Sequence, residues 1–179
     1  MLKIENTVFI VVDVQGKLAS LMYDKQTLFE NIKKCIKGAK VLEIPILWVE
    51  QNPNGLGETI PEIADLLGDR EPIVKMSFSS YKNKDFKDAL KDLNRNQILI
   101  AGIETHVCIY QTAVDMVNSN FEVSVVVDAV SSRKQENKQI GIQKMKDEGV
   151  KLTSTEMTLF ELQEVAEGSR FRQIIKIVK

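Results

Sequence analysis

One stretch of the chain reads Gln97-Ile-Leu-Ile-Ala-Gly-Ile-Glu-Thr-His-Val-Cys-Ile109. Its first half is apolar without alternation, which is typical of a strand that is covered on both faces. Gly102 ends this strand, and the residues that follow have the spacing of a helix over 106–117. A buried strand that leads directly into a helix indicates one β-α unit of a parallel sheet.

The same pattern recurs along the whole chain. Short apolar and β-branched runs after turn signals predict six strands, at Val8–Asp13, Ile46–Val49, Ile73–Val74, Gln97–Gly102, Val123–Asp128 and Lys151–Thr153. Helical spacing between and after them predicts helices at 28–42, 83–93, 106–117, 134–148 and 157–166. This order predicts an α/β fold, a Rossmann-like three-layer α/β/α sandwich around a six-stranded, mainly parallel sheet with right-handed crossovers.

Three further features concern organisation. The 179 residues fit one domain, spanning 1–179. The irregular segment Glu50–Gly57 follows the second predicted strand, where ligands bind in open α/β sheets, so it is a candidate pocket wall. The apolar C-terminal segment Phe171–Val178 is either a last core helix or an interface.

Composition excludes several classes of partner. The 24 basic and 25 acidic residues nearly cancel to a net charge of -1, which disfavours nucleic-acid binding. No apolar run approaches the roughly 20 residues of a membrane span, and two cysteines cannot form a secreted-type disulfide framework, so a cytoplasmic protein is predicted. His106 is the only histidine and no glycine-rich phosphate motif is complete, so we predict neither a metal nor another cofactor.

Cys108 is the candidate nucleophile. It falls in the first turns of the predicted 106–117 helix, where the positive end of the helix dipole would stabilise a thiolate. The alternative is a buried cysteine that acts as a small hydrophobe. Cys35 lies in the apolar stripe of the 28–42 helix and is assigned to that structural class. His106 is only two residues from Cys108 and would point to another face, so any activating base must come from elsewhere.

Two charged residues end predicted strands. Asp13 follows the first strand, where partial desolvation can raise the pKa of a carboxyl group toward that of a general base. The alternative for Asp13 is a turn cap. Lys75 follows the third strand, where its charge could lower the pKa of a nearby thiol or hold a carboxylate in place. A solvated surface lysine is the alternative there.

Taken together, Asp13, Lys75 and the turn Gly102-Ile-Glu-Thr-x-x-Cys108 resemble the isochorismatase-like, or cysteine hydrolase, superfamily. The resemblance extends over nearly the whole chain. Further motifs are similar to the isochorismatase-domain-containing group: Val12-Asp-Val-Gln15, Val49-Glu-Gln-Asn-Pro-Asn-Gly-Leu-Gly57 with Pro61-Glu-Ile63, Lys75-Met-Ser-Phe-Ser79, Ala101-Gly-Ile-Glu104 and Val127-Asp-Ala-Val-Ser-Ser-Arg133.

The resemblance implies a role for each matching position. Asp13 would take the thiol proton, Lys75 would stabilise the resulting charges, and Cys108 would form a covalent intermediate. It also implies a cis peptide bond between Ile103 and Glu104 and an oxyanion hole formed by the backbone N–H groups of Glu104 and Cys108. A homo-oligomer, either a dimer or a tetramer, is the family expectation.

Two departures from relatives refine the predicted reaction. The segment Glu50–Pro53 lacks the histidine of the nicotinamidase metal cluster, and vinyl-ether-cleaving members generally lack a cysteine at the position of Cys108. We therefore predict a metal-independent cysteine hydrolase that cleaves an amide or carbamoyl carbon–nitrogen bond in a small molecule. Candidate substrate-binding residues, each of which could equally be a packing or surface residue, are Gln15, Gln51, Phe78 and Tyr110.

Three alternatives to this function stay open. One is a catalytically silent interaction protein with the same fold. Another is a vinyl-ether-cleaving isochorismatase-type hydrolase. The third is a redox sensor, since an exposed cysteine of low pKa is oxidisable, although no resolving cysteine is near Cys108 in sequence.

Overall fold

A computed structural model describes residues 1–68 and 70–179. Six strands form one sheet: β1 (Thr7–Val12), β2 (Ile46–Gln51), β3 (Ile73–Lys75), β4 (Gln97–Ile103), β5 (Glu122–Ser131) and β6 (Lys151–Thr153). Their order is β3-β2-β1-β4-β5-β6, and all neighbouring strands are parallel. The predicted Rossmann-like α/β/α sandwich with a parallel six-stranded sheet is confirmed.

Helices cover both faces of the sheet. Within the described residues they are α1 (Gly16–Ser20), α2 (Lys25–Val41), α3 (Pro53–Leu56), α4 (Pro61–Leu67), α5 (Lys84–Leu93), α6 (Tyr110–Val117), α7 (Gln135–Asp147), α8 (Thr155–Gln163) and α9 (Gly168–Val178). Apolar residues of α2, α4, α8 and α9 pack in one cluster, and those of α5, α6 and α7 pack in another. None of the described helices is both long and apolar enough to cross a membrane.

Some boundaries differ from those predicted. The helices α1, α3 and α4 were not predicted, because segments of seven residues or fewer give no clear periodic signal. Both α3 and α4 begin with a proline, which suits the first turn of a helix. The segment predicted as irregular over 50–57 is therefore partly regular. The helix predicted over 106–117 begins with a π-helical turn, Thr105–Ile109, before α6.

The C-terminal segment is a core-packing helix rather than an irregular tail. Helix α9 packs against α2 and α8, and Ile174 is fully buried. The Lys34 ammonium donates a hydrogen bond to the carbonyl oxygen of Val178 at 2.8 Å, close to the end of α9. These contacts favour the first of the two alternatives left open for Phe171–Val178.

Gly102 allows the two central strands to approach at their carboxyl ends. It pairs with Val12 and has a φ of +126°, in a region that residues with a side chain rarely adopt. A Cβ at this position would lie 2.1 Å from the carbonyl oxygen of Val12. The close approach brings Asp13, which follows Val12, beside the segment that carries Cys108.

Candidate active site

The candidate site lies at the carboxyl edge of the sheet. In the β1–β2 pairing Val12 lies opposite Val49, and in the β2–β3 pairing Gln51 lies opposite Lys75. Asp13 follows Val12 directly and its N–H donates to the Val49 carbonyl at 3.1 Å. The parallel register therefore brings residues from three strand ends to one edge, where ligands bind in open α/β sheets.

Asp13 and Lys75 form a buried ion pair. The Lys75 ammonium donates to Asp13 Oδ2 at 2.7 Å, and the Lys75 and Asp13 side chains are 0% and 3% exposed, respectively. The alternative of a solvated surface lysine at position 75 is thus wrong. Lys75 Nζ also lies 2.9 Å from Gln51 Oε1, 3.3 Å from the Ser77 carbonyl oxygen and 3.2 Å from that of Phe78. A buried ammonium needs such partners, because an unpaired charge in this position would be strongly unfavourable.

Asp13 has the environment of a general base. Burial raises the pKa of its carboxyl group, while the adjacent Lys75 ammonium opposes that rise. Its backbone has a φ of +54°, which is unusual for a residue with a side chain and turns the chain sharply after β1. The second oxygen, Oδ1, is buried and accepts no hydrogen bond from the described part of the chain. One carboxylate oxygen is therefore held by Lys75 and the other has capacity to accept a proton.

Cys108 lies in the π-helical turn between β4 and α6 and is 7% exposed. Burial raises the pKa of its thiol to about 12, with the Asp13 charge as a second cause and the Lys75 charge as an opposing one. The start of the helix was expected to stabilise a thiolate, and both desolvation of the thiol and the neighbouring Asp13 carboxylate act in the opposite direction. The thiol also lowers the pKa of the Asp13 carboxyl group, although no thiol-to-carboxylate hydrogen bond of ordinary geometry is formed.

This electrostatic arrangement has a chemical consequence. A protonated thiol next to a carboxyl group of raised pKa can pass its proton to that group at the moment of attack, rather than being a thiolate at rest. The Lys75 ammonium favours the negative charge on either group, because it lowers the pKa of both the Asp13 carboxyl group and the Cys108 thiol. All three side chains are buried, so water scarcely reaches the groups between which such a proton transfer would occur.

Cys35 provides an internal comparison. It is buried in the apolar cluster under α2, and its thiol lies 3.6 Å from the Thr155 hydroxyl oxygen, to which it donates. Burial raises the pKa of this thiol to about 12 as well. No ammonium group contributes to that pKa, whereas Lys75 does to that of Cys108. The contacts of Cys35 favour the structural assignment.

Glu104 and Arg133 form the next contact along the edge. The Ile103–Glu104 peptide bond is cis, and Glu104 immediately precedes the turn that holds Cys108. Its carboxylate oxygen Oε1 accepts from the Arg133 backbone N–H at 3.2 Å and from Arg133 Nε at 3.0 Å. Sequence reasoning did not assign Arg133 a role. It lay within a family-like motif, and its charge next to a strand end was the signal that could have identified it.

The candidate substrate-binding residues divide into two groups. Gln15 and Gln51 are buried and use their side-chain amides within the protein, so their contacts favour positioning over direct substrate contact. Phe78 is 54% exposed next to the site. Tyr110 is half-buried beneath the Lys144 ammonium, which lies 5.0 Å from the ring centroid, an arrangement typical of a cation–π contact.

The side chains that could bind a metal ion do not cluster in the described part of the chain. Across residues 1–68 and 70–179, no three His, Cys, Asp or Glu side chains come together as potential ligands. The single histidine, His106, has its Nδ1 atom 2.9 Å from the Ser132 hydroxyl oxygen. Glu50 is buried, and its Oε1 accepts from the N–H and hydroxyl groups of Thr59 at 2.7 and 2.8 Å.

Comparison with known proteins identifies the family. The model of the isochorismatase domain matches residues 7–157. Isochorismatase domain-containing protein 2 of Danio rerio is 32% identical over 179 residues, covering 99% of this chain and 89% of that protein. A solved structure described as MAR1 ribonuclease from Caenorhabditis elegans is 32% identical, with a TM-score of 0.92 and coverage of 99% and 91% of the two chains.

A more distant structure shares the fold. YcaC from Escherichia coli, described as an octameric hydrolase of unknown specificity, has a TM-score of 0.92 at 23% identity, covering 98% of this chain and 89% of that one. The extent of the domain match and the identity over almost the full chain confirm the resemblance seen in the motifs. The chain belongs to the isochorismatase family.

Proposed function

We propose that this protein is a cysteine hydrolase that cleaves the carbon–nitrogen bond of an amide or carbamoyl group in a small molecule without a metal ion. One observation carries the proposal: the buried Asp13–Lys75 ion pair, whose two charges both act on the Cys108 thiol. Burying an ion pair is costly and is weak evidence for a role in stability. A buried pair that bears on a nucleophilic side chain is better explained by catalysis.

The first half of the reaction forms a thioester. Asp13 takes the Cys108 proton as the sulfur attacks the carbonyl carbon, and a carbon–sulfur bond forms while the carbonyl oxygen becomes an oxyanion. We assign the stabilisation of that oxyanion to the backbone N–H groups of Glu104 and Cys108. The oxyanion then collapses, the carbon–nitrogen bond breaks, and Asp13 returns the proton to the departing nitrogen.

The second half restores the enzyme. Asp13, again a carboxylate, takes a proton from water as the water oxygen attacks the thioester carbon. The carbon–sulfur bond breaks, the acid product leaves, and the proton returns to the Cys108 sulfur. Lys75 compensates the negative charge as it passes between Cys108 and Asp13, so the ammonium does not need to change its own protonation.

Three other functions are less well supported. A related structure is described as a ribonuclease, but the near-neutral charge of this chain and its single histidine, which contacts Ser132, favour a small substrate over RNA. Vinyl-ether cleavage would leave the Cys108 thiol without a role. A catalytically silent protein would have no reason to keep two opposite charges buried next to that thiol.

The test is a hydrolysis screen with matched cysteine variants. Primary amides, ureas and N-carbamoyl amino acids are incubated with the protein, and ammonia release is measured. We expect turnover with at least one class, its loss in Cys108→Ala, and unchanged turnover in Cys35→Ala. Intact mass spectrometry should detect an acyl adduct on Cys108. Equal ammonia release by wild-type and Cys108→Ala protein would contradict the proposal, as would no release across the panel.

A further inference from the structure

The side-chain amide of Gln51 contacts both Lys75 and the loop that follows β3. Its Oε1 accepts from the Lys75 ammonium at 2.9 Å, and its Nε2 donates to the Met76 carbonyl oxygen at 2.9 Å. The side-chain amide thus links the end of β2 with the catalytic lysine and with the loop that follows β3. Both atoms of this amide have partners within the protein before any ligand binds.

The backbone of Gln51 is fixed with respect to Asp13. The Gln51 N–H donates to Gln15 Oε1 at 2.7 Å, and the Gln51 carbonyl accepts from Gln15 Nε2 at 3.1 Å. Gln15 Nε2 also donates to the Gly57 carbonyl at 2.6 Å. Because Gln15 is fully buried and only two residues after Asp13, this pair of amide contacts sets where Gln51 lies relative to the general base.

We infer that Gln51 is a positioning residue, which directs the Lys75 ammonium toward Asp13 and Cys108 by satisfying one of its N–H groups with a neutral acceptor. Lys75 has three N–H groups to satisfy in a buried environment. A neutral amide satisfies one without adding a negative charge, so the positive charge remains available to Asp13 and to the thiol. A carboxylate at the same place would compete with Asp13 for the ammonium.

The surrounding charges define what a change at Gln51 should do. Lys75 and Glu50 are the charged groups that act on Asp13, and Asp13 and Lys75 are those that act on Cys108. Gln51→Glu keeps the size of the side chain and introduces a carboxylate beside Lys75. The added negative charge should raise the pKa of both the Asp13 carboxyl group and the Cys108 thiol, and so reduce the fraction of thiolate.

The positioning role rests on the proposed hydrolase function, yet it can be tested without a substrate. Iodoacetamide is the probe, and peptide mapping separates alkylation of Cys108 from that of Cys35 between pH 7 and 9.5. We expect Gln51→Glu to lower the Cys108 rate about tenfold at each pH, because each unit of pKa changes the thiolate fraction tenfold below the pKa. Gln26→Glu is the matched control, since Gln26 is exposed on α2, and its rate should equal that of wild type.

Gln51→Met is a second variant, which keeps the test usable if Gln51→Glu does not fold. It keeps the length and neutrality of the side chain while removing the acceptor, and its Cys108 rate should also fall. Circular dichroism and thermal melting establish that each variant is folded. A folded Gln51→Glu or Gln51→Met protein that is alkylated at the wild-type rate overturns the positioning role, because a purely structural glutamine would leave thiol reactivity unchanged.

The two proposals fail in different ways. If the amide panel shows no hydrolysis while Gln51→Glu slows alkylation, the alignment of Lys75 stands and the hydrolase function fails. If amides are hydrolysed and either folded Gln51 variant is alkylated at the wild-type rate, the hydrolase function stands and the role of Gln51 is overturned.

Discussion

Replacing Lys75 by methionine tests the buried ion pair most directly. Lys75→Met keeps most of the length of the side chain but removes the ammonium that donates to Asp13 Oδ2. Because the two side chains are 0% and 3% exposed, solvent hardly screens their interaction. Removing one partner of a buried pair typically costs about 3–5 kcal/mol, since the remaining charge is left uncompensated.

Protonation of the Asp13 carboxyl group limits the destabilisation caused by Lys75→Met. The pKa of the Asp13 carboxyl group is already raised by burial, and without the Lys75 charge it will rise further. In Lys75→Met the carboxyl group can therefore become neutral by binding a proton, at a cost that grows with pH. We expect the destabilisation to be near the lower end of about 3–5 kcal/mol at pH 6 and larger at pH 8.

The assay is urea unfolding followed by far-UV circular dichroism on four proteins: wild type, Lys75→Met, Asp13→Asn and the double variant. The double variant has neither buried charge, so it should be more stable than Lys75→Met at pH 8. The interaction free energy from the cycle should reach up to about 3 kcal/mol. Additive effects of the two single changes, or a Lys75→Met variant as stable as wild type at both pH values, would refute the reasoning.

Two further predictions concern stability. Gly102→Ala should destabilise the protein by at least about 2 kcal/mol. The new Cβ would lie 2.1 Å from the Val12 carbonyl oxygen, and a φ of +126° is strained for alanine. Thermal melting of the variant and wild type would measure the loss of stability. The Asp13 carboxyl group has a raised pKa, so the folded protein binds its proton more tightly than the unfolded chain does. Wild type should therefore lose stability relative to Asp13→Asn as the pH rises from the ordinary carboxyl pKa of 3.8 through the raised pKa of the folded protein. Parallel urea titrations from pH 4 to 8 check this, and a constant difference between the two proteins would contradict it.

The sequence was most informative where burial is continuous. Ile98–Ala101 and Val8–Val12 are buried on both faces, so a run of apolar residues was sufficient to predict central parallel strands. The sheet then accounts for the meeting of Asp13 and Lys75, because polar residues at the carboxyl ends of parallel strands share one edge. Family motifs supplied the pairing with Cys108. The oligomeric state and the cellular compartment stay predictions.

Other features depend on side-chain geometry that a linear pattern does not contain. The complete burial of Lys75 follows from its contacts with Gln51 and two loop carbonyls, none of which can be read from a lysine at a strand end. The raised pKa of the Cys108 thiol reflects desolvation and the Asp13 charge, both products of tertiary structure. The sequence likewise places Gln15 and Gln51 near the site as candidate substrate-binding residues, and only the structure shows that their side-chain amides bond within the protein.

In the loop after β3, the backbone carbonyl groups hold the site while two side chains point to solvent. Its side chains Met76 and Phe78 are 70% and 54% exposed, whereas its carbonyl oxygens accept hydrogen bonds from Gln51 and Lys75. The side chains of Met76 and Phe78 can therefore be exchanged without disturbing the ammonium. Shortening or lengthening the loop would displace the carbonyls instead. Engineering of this protein should therefore substitute Met76 and Phe78 and leave the length of the loop unchanged.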